Sequence, residues 1–234
     1  MAKRSLEELR RTPAYPFIEA AHYLNMPVAT LRSWCLGQNY YTDDGETRRF
    51  QPVIQLDGGP REGLSFLNLI EAHVLAAIRR EHEIPLPKVR QAVAYVAKHL
   101  NIRRPLADVT FETNGVSLFV TTLDKVLNVT RDGQLEIEQF LRAYLRRVER
   151  DTHGVPIKLF PFTRSEAAID SPTPVEMDPR IAFGRPVIRG RAVPTAVLAE
   201  RFKAGDSIAF LAEDLEIAGD VVEDAIRCEL ERAA

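Results

Sequence analysis

The side chains best suited to chemistry in this 234-residue chain fall within one short window, Phe17-Ile-Glu-Ala-Ala-His-Tyr-Leu-Asn-Met-Pro-Val-Ala-Thr-Leu-Arg-Ser-Trp34. Arg32 is suited to forking onto a guanine edge or holding a phosphate, and Thr30 and Ser33 to bonding backbone or bases, with Ala29 leaving room beside them. Such contacts need a helix to carry them into a groove of duplex DNA, and the window supplies the parts. Residues 17–24 and 27–36 read as two short helices. Ala21 leaves room where they cross, Asn25 tolerates a left-handed turn, and Pro27 suits the opening of the second helix. Leu24, Met26, Leu31 and Trp34 fall where the two helices press together. Phosphate contacts are expected from Arg10 and Arg11, from Arg48 and Arg49 on a hairpin wing that turns at Asp43-Asp44-Gly45, and from Lys88 and Arg90.

Other reactive types do not assemble. His22, His73, His82, His99 and His153 form no HExxH pattern, and Glu19 and His22, an i, i+3 pair, lack the second copy that a di-iron bundle needs. Cys35 and Cys228 stand far apart with no CxxC, so neither a disulfide framework nor a zinc site is expected. No serine has a nucleophile-elbow context, and Asp57-Gly58-Gly59-Pro60 reads as a turn rather than a phosphate loop. The expectation is therefore a non-enzyme with no metal and no cofactor. No apolar run is long enough for a membrane span and the N-terminus is unlike a signal peptide, so a cytoplasmic location is expected. The formal net charge of −2 hides an asymmetry: residues 1–165 carry 23 Lys and Arg against 19 Asp and Glu, whereas 166–234 carry 8 against 14. The basic part is the candidate for nucleic acid.

Helices are expected at 64–81 and 87–100, then strands at 109–113 and 116–121 flanking Asn114-Gly115, a hairpin signal. A turn at Asp132-Gly133 leads to an expected helix over 135–151, with Ile137, Phe140, Leu141, Tyr144, Leu145 and Val148 as its apolar stripe. Arg142, Arg146 and Arg150 form a like-charged row on it, read as a solvated face. The proline-rich stretch 163–179 reads as a linker. Beyond it lie a short apolar element at 185–190 and helices at 194–203, 207–215 and 220–232, a module small enough to need docking or dimerisation. The expected fold is α+β and mostly helical. It comprises a winged helix-turn-helix domain (1–104), an α+β extension with a hairpin (105–162), the linker (163–179), and a C-terminal helical, helix-turn-helix-like module (180–234).

The order of helix-turn-helix, then Arg48-Arg49-Phe50, then Leu64-Ser65-Phe66 opening a long helix resembles the winged helix of MerR-type regulators, without their long dimerising coiled coil or sensing cysteines. Residues 175–231 resemble a domain of unknown function common in VapB-type antitoxins, through Asp178-Pro179-Arg180-Ile181, Gly184-Arg185-Pro186-Val187-Ile188, Gly190 and Val193-Pro194-Thr195. Arg191 stands where that pattern often has threonine. The two-part layout is similar to the longer antitoxins of that type. The resemblance implies a type II antitoxin that binds a PIN-type ribonuclease toxin and represses its own operon by binding operator duplex DNA; a homodimer is expected because one recognition helix reads too few base pairs. Residues 180–203 hold six basic side chains against one acidic, and 205–234 two against nine. Arg180, Arg185, Arg189 and Arg191 are thus the candidate toxin contacts, suited to a carboxylate-lined active site. Neutralisation of the module's own acidic helices is the alternative for these arginines. For the whole chain the alternative is a stand-alone MerR-like regulator whose C-terminal module only dimerises or senses a ligand.

Overall fold

The computed structural model describes residues 5–41, 44–80, 84–127, 131–163 and 171–230. Its centre is helix α4 (Phe66–Arg80), which is buried on every face from Phe66 to Ile78. An all-round buried helix needs partners for its polar groups, and this one has them. Ser65 and Asn68, both fully buried, bond each other, and Asn68 Nδ2 donates to Gln55 O at 2.9 Å and Glu71 Oε2 at 3.0 Å. Arg104 bridges Asp57 at 2.7 Å and Glu71 at 3.1 Å, tying the loop before α4 to the helix. Burial pushes the Glu71 carboxyl up to about 7 despite Arg104.

Against α4 pack α1 (Leu6–Arg11), α7 (Arg131–Leu145) and the 3-10 turn Pro105–Ala107, while α6 (Val116–Leu127) packs between α7 and α5 (Leu86–Leu100). Ser5 and Glu8 close α1 with a reciprocal capping box. The hairpin expected over 109–121 does not form. Asp108 Oδ1 accepts the Thr110 N–H at 2.7 Å, as a helix cap does, and the chain runs through a π-helical turn (Phe111–Gly115) into α6. Gly115 serves a different purpose from a hairpin glycine: a Cβ there would sit 2.9 Å from the Phe111 ring, which lies against it. Phe111, Val116, Phe119, Val120 and Leu123 then face the core.

Asp132-Gly133 is likewise no turn but the first turn of α7, where an acidic side chain suits the helix N-terminus. That helix stops at Leu145 rather than 151, and Val148 and Arg150 belong to strand β3 (Val148–Arg150), so the expected arginine row does not share one helix. Arg142 pairs with Glu138, while Arg150 turns inward to Glu112 and to the carbonyls of Ala107 and Gly154. Arg147, 4% exposed, donates to four backbone carbonyls, those of Phe160, Pro161, Ser171 and Pro172, at 2.7–3.1 Å, with its guanidinium 3.9 Å from the Phe162 ring centroid.

Strand β3 pairs antiparallel with β4 (Pro156–Leu159). Part of the expected linker, 164–170, lies outside the described residues, and its end is no linker. There β5 (Val175–Glu176) is buried and pairs with β6 (Val187–Ile188), and Met177 exchanges backbone bonds with Leu159 at 2.8 and 3.0 Å. Helices α8 (Thr195–Lys203), α9 (Ile208–Leu215) and α10 (Gly219–Glu229) enclose a second core of Val175, Ile188, Leu198, Leu211, Val222, Ala225, Ile226 and Cys228. Tyr23 of the N-terminal part packs against both cores. The C-terminal module is therefore docked on the N-terminal part. The observed fold is α+β and mostly helical, with three two-stranded sheets among the described residues.

Candidate nucleic-acid interface

The first helix of the pair is α2 (Phe17–Tyr23) and the second α3 (Val28–Leu36). Between them Asn25 adopts a left-handed φ of 52° and Met26 N–H bonds Ala21 O at 2.9 Å, so the chain reverses within four residues. Pro27, with ψ 135°, stands just before the helix and satisfies the start without needing an N–H. Ala20, Ala21, Leu24, Leu31 and Trp34 are all buried, and Met26 is half-buried. Fixing those positions inward leaves Ala29 and Arg32 exposed and Thr30 and Ser33 half-exposed. The four expected contacts thus lie together on the outer side of α3, lining a groove of about 660 Å³ that Gly37, Gln38, Phe50 and Leu86 complete. Arg32 rests 5.2 Å above the Phe17 ring, which limits the freedom its long side chain would lose on meeting a ligand.

The wing is β1 (Gln38–Tyr41) paired antiparallel with β2 (Thr47–Phe50). Gly37 ends α3 with φ 73°, and a Cβ on it would overlap the Phe50 carbonyl, so glycine is required for the wing to leave the helix here. Arg49 donates to Leu36 O at 3.0 Å, a cation placed at the carboxyl end of α3, and Arg48 pairs loosely with Glu46 at 3.5 Å. Both arginines remain exposed. Arg90 departs from the expectation. Its guanidinium lies 5.7 Å from the Phe50 ring, with Nε and Nη2 shielded and without a hydrogen-bond partner, and burial lowers its pKa. It buttresses the wing from beneath, while Lys88, two residues earlier in α5, is half-exposed. Arg10 is also removed from the surface: it is 6% exposed and pairs with Glu7 and Asp151. Arg11 pairs with Glu7 and Asp57.

The four C-terminal arginines do not converge. Arg180 forks onto Asp178 at 2.5–3.1 Å, and Arg185 pairs with Glu19 of α2 at 2.5 Å. Arg189 donates to Thr173 Oγ1 at 2.7 Å above the Phe160 ring, and Arg191 to Glu216 O at 3.0 Å. The contact between Arg185 and Glu19 belongs to a seam between the module and the helix-turn-helix that the sequence did not disclose. There Tyr15 Oη donates to Gly184 O at 3.0 Å, and a His22 ring nitrogen lies 2.8 Å from Cys228 O. Glu19 and His22, weighed above as a metal pair, each face the C-terminal module instead. Among the described residues no group of three or more His, Cys, Asp or Glu is placed to hold a metal ion, and no helix is long and apolar enough to cross a membrane.

A winged helix-turn-helix carrying a docked three-helix module defines the class, a two-module protein of the DNA-binding helix-turn-helix type. Residues 13–93 match a family model described as "Putative DNA-binding HTH domain", and residues 175–227 one described as "Protein of unknown function (DUF433)". The chain is 26% identical, over 92% of its length and 92% of the relative's, to a protein of Mycobacterium tuberculosis strain H37Rv named "Putative antitoxin VapB45". It is 21% identical to the uncharacterized protein Rv2308 of the same organism, over 96% of this chain and 93% of the other. The crystal structure of Rv2018 from Mycobacterium tuberculosis shares the fold, with a TM-score of 0.63 at 21% identity, covering 92% of this chain and 97% of that one.

Proposed function

We propose that this chain is the antitoxin of a type II toxin–antitoxin pair, which represses its own operon through α3 and the wing and neutralises a PIN-type ribonuclease through its C-terminal module. The observation that carries the DNA half is the grouping of Ala29, Thr30, Arg32 and Ser33 on the outer side of a helix whose inner side is locked in the core. Arg48, Arg49 and Lys88 supply phosphate contacts beside it, and Arg90 supports the wing from below. A nine-residue helix reads few base pairs, so two copies bind paired half-sites as a homodimer. On the toxin side Arg180, Arg185, Arg189 and Arg191 exchange their partners within the chain for the carboxylates of the ribonuclease. The chain itself performs no catalysis and works without a cofactor.

A specific observation favours the second reading, a stand-alone regulator: each of the four arginines already has a partner within the chain. Co-expression with the product of the neighbouring open reading frame separates the two. Co-purification of a small ribonuclease, inactive in the complex and active when released, supports the antitoxin. Tight promoter binding with no partner recovered supports the regulator.

A further inference from the structure

The side chains that α3 turns outward differ in reach. Ala29 and Ser33, one helical turn apart, occupy the middle of that side, with Arg32 on one flank and Thr30 on the other. Short side chains in the middle let the helix come close to whatever it faces. Their polar groups are also uncommitted. Within α6 the threonines return their hydroxyls to the preceding turn, Thr121 to Ser117 O at 2.8 Å and Thr122 to Leu118 O at 2.7 Å. The hydroxyls of Thr30 and Ser33 make no hydrogen bond among the described residues, and the Arg32 guanidinium, held over the Phe17 ring, meets no carboxylate among them.

The chemistry of this surface answers only part of what a major groove presents. Adenine is paired through two bonds by an asparagine or glutamine, and the cytosine amine by a carboxylate; α3 carries none of these. The groove that α3 lines holds no carboxylate either, and its one amide, Gln38, stands on the wing. A guanidinium forks onto guanine O6 and N7, and a small apolar side chain such as that of Ala29 packs against the C5 methyl of thymine. Trp34, Phe50 and Leu86 add apolar lining beside it, which favours a methyl over an amine.

We infer that α3 reads a guanine close to a thymine, with Arg32 forking onto the guanine and Ala29 seating the thymine methyl. This rests on the DNA-binding reading and names the bases it selects. Ala29 and Arg32, three residues apart, are neighbours on the helix surface, so the two bases lie within about two base pairs of each other. The hydroxyls of Thr30 and Ser33, which bond any base or a phosphate, add affinity rather than discrimination.

The test uses the full chain and two kinds of duplex: a pool with a randomised central segment, from which bound sequences are selected, and synthetic copies of the selected sequence, read by fluorescence anisotropy. Selection is expected to return a guanine with a thymine within about two base pairs of it. Base analogues in that sequence then probe each contact while the protein stays unaltered. Deoxyuridine in place of the thymine removes only the methyl and weakens wild-type binding about fourfold. In place of the guanine, 7-deazaguanine removes one acceptor and weakens it about fivefold. Ala29→Gly is expected to bind the thymine and deoxyuridine duplexes equally, and Arg32→Ala the guanine and 7-deazaguanine duplexes equally, an outcome that a general loss of folding does not produce. If the wild type binds a selected sequence yet no such replacement at any of its thymines or guanines changes affinity by about twofold, the base assignment is refuted and the DNA-binding reading stands. Full discrimination retained by either variant overturns the assignment for that residue. Binding of duplexes with no sequence enriched refutes the base assignment alone. If no duplex is bound, both fall.

Discussion

The seam between the helix-turn-helix and the C-terminal module is held partly by one hydrogen bond, and its geometry allows a quantitative test. Tyr15 is 1% exposed and its hydroxyl donates to Gly184 O. Tyr15→Phe leaves that carbonyl without its donor, a loss of about 1.5 kcal/mol. Gly184→Ala introduces two penalties. A Cβ at φ 81° costs about 1 kcal/mol, and because it would overlap the Tyr15 hydroxyl it also displaces the donor, for a total of about 2.5 kcal/mol. In the Tyr15→Phe background the hydroxyl is gone and the Cβ meets ring carbon Cζ at 3.1 Å, a contact the ring relieves by a small shift. There the alanine costs only the backbone part, about 1 kcal/mol, and the two substitutions are coupled by about 1.5 kcal/mol. Equilibrium urea unfolding followed by the fluorescence of Trp34, the single tryptophan, reads all four corners of the cycle from within the helix-turn-helix. Additive effects to within about 0.5 kcal/mol would show that hydroxyl and Cβ do not compete for one space. A Trp34 transition indifferent to Gly184→Ala would refute the claim that the modules share their stability.

Three further outcomes are expected. Arg32→Ala weakens promoter binding by about 1–3 kcal/mol in fluorescence anisotropy; a salt slope shallower by about 1 marks a phosphate contact, an unchanged slope a base contact. Because burial holds the Glu71 pKa at about 7, the folded state keeps a proton that the unfolded chain releases near the ordinary carboxylate value of 4.5. Stability therefore falls as pH rises from about 4.5 to about 7, by about 3 kcal/mol, and levels off above; urea midpoints of Glu71→Gln lose that slope, and a wild-type profile without it refutes the assignment. Arg147→Met removes four carbonyl-directed donors from a buried site and lowers stability by about 3 kcal/mol, seen as a drop in thermal midpoint, whereas a surface arginine would change it little.

The helix-turn-helix was legible because its determinants are local: Ala21, Asn25, Pro27, Leu31 and Trp34 act across one continuous stretch. The error at 109–121 has a physical origin. A π-helical turn holds more residues than an α-turn, so the core positions Phe111 and Val116 stand five apart. That spacing hides the helical period, and the β-branched residues with Asn114-Gly115 then resemble a hairpin. Prolines made 163–179 read as a linker, although Val175 and Met177 are buried because strands distant in sequence pair with them. Nothing local distinguishes Arg147, the hub of four carbonyls, from Arg146, its exposed neighbour. Nor does Ile-Ala-Phe-Gly reveal that its aromatic faces outward, since an apolar run ordinarily predicts burial. Charge counting identified Arg180, Arg185, Arg189 and Arg191 but not the partners that tertiary packing assigns them.

Arg147 has a consequence for the continuity of the chain. Its guanidinium bonds Phe160 and Pro161 on one side of the segment 164–170 and Ser171 and Pro172 on the other, so both banks of that segment are moored to a single side chain. A peptide bond cut within 164–170 would leave the two fragments joined through the guanidinium and through the Leu159–Met177 backbone pair. Covalent and spatial continuity are thus independent here: the two flanks stay together through one guanidinium whatever path joins them.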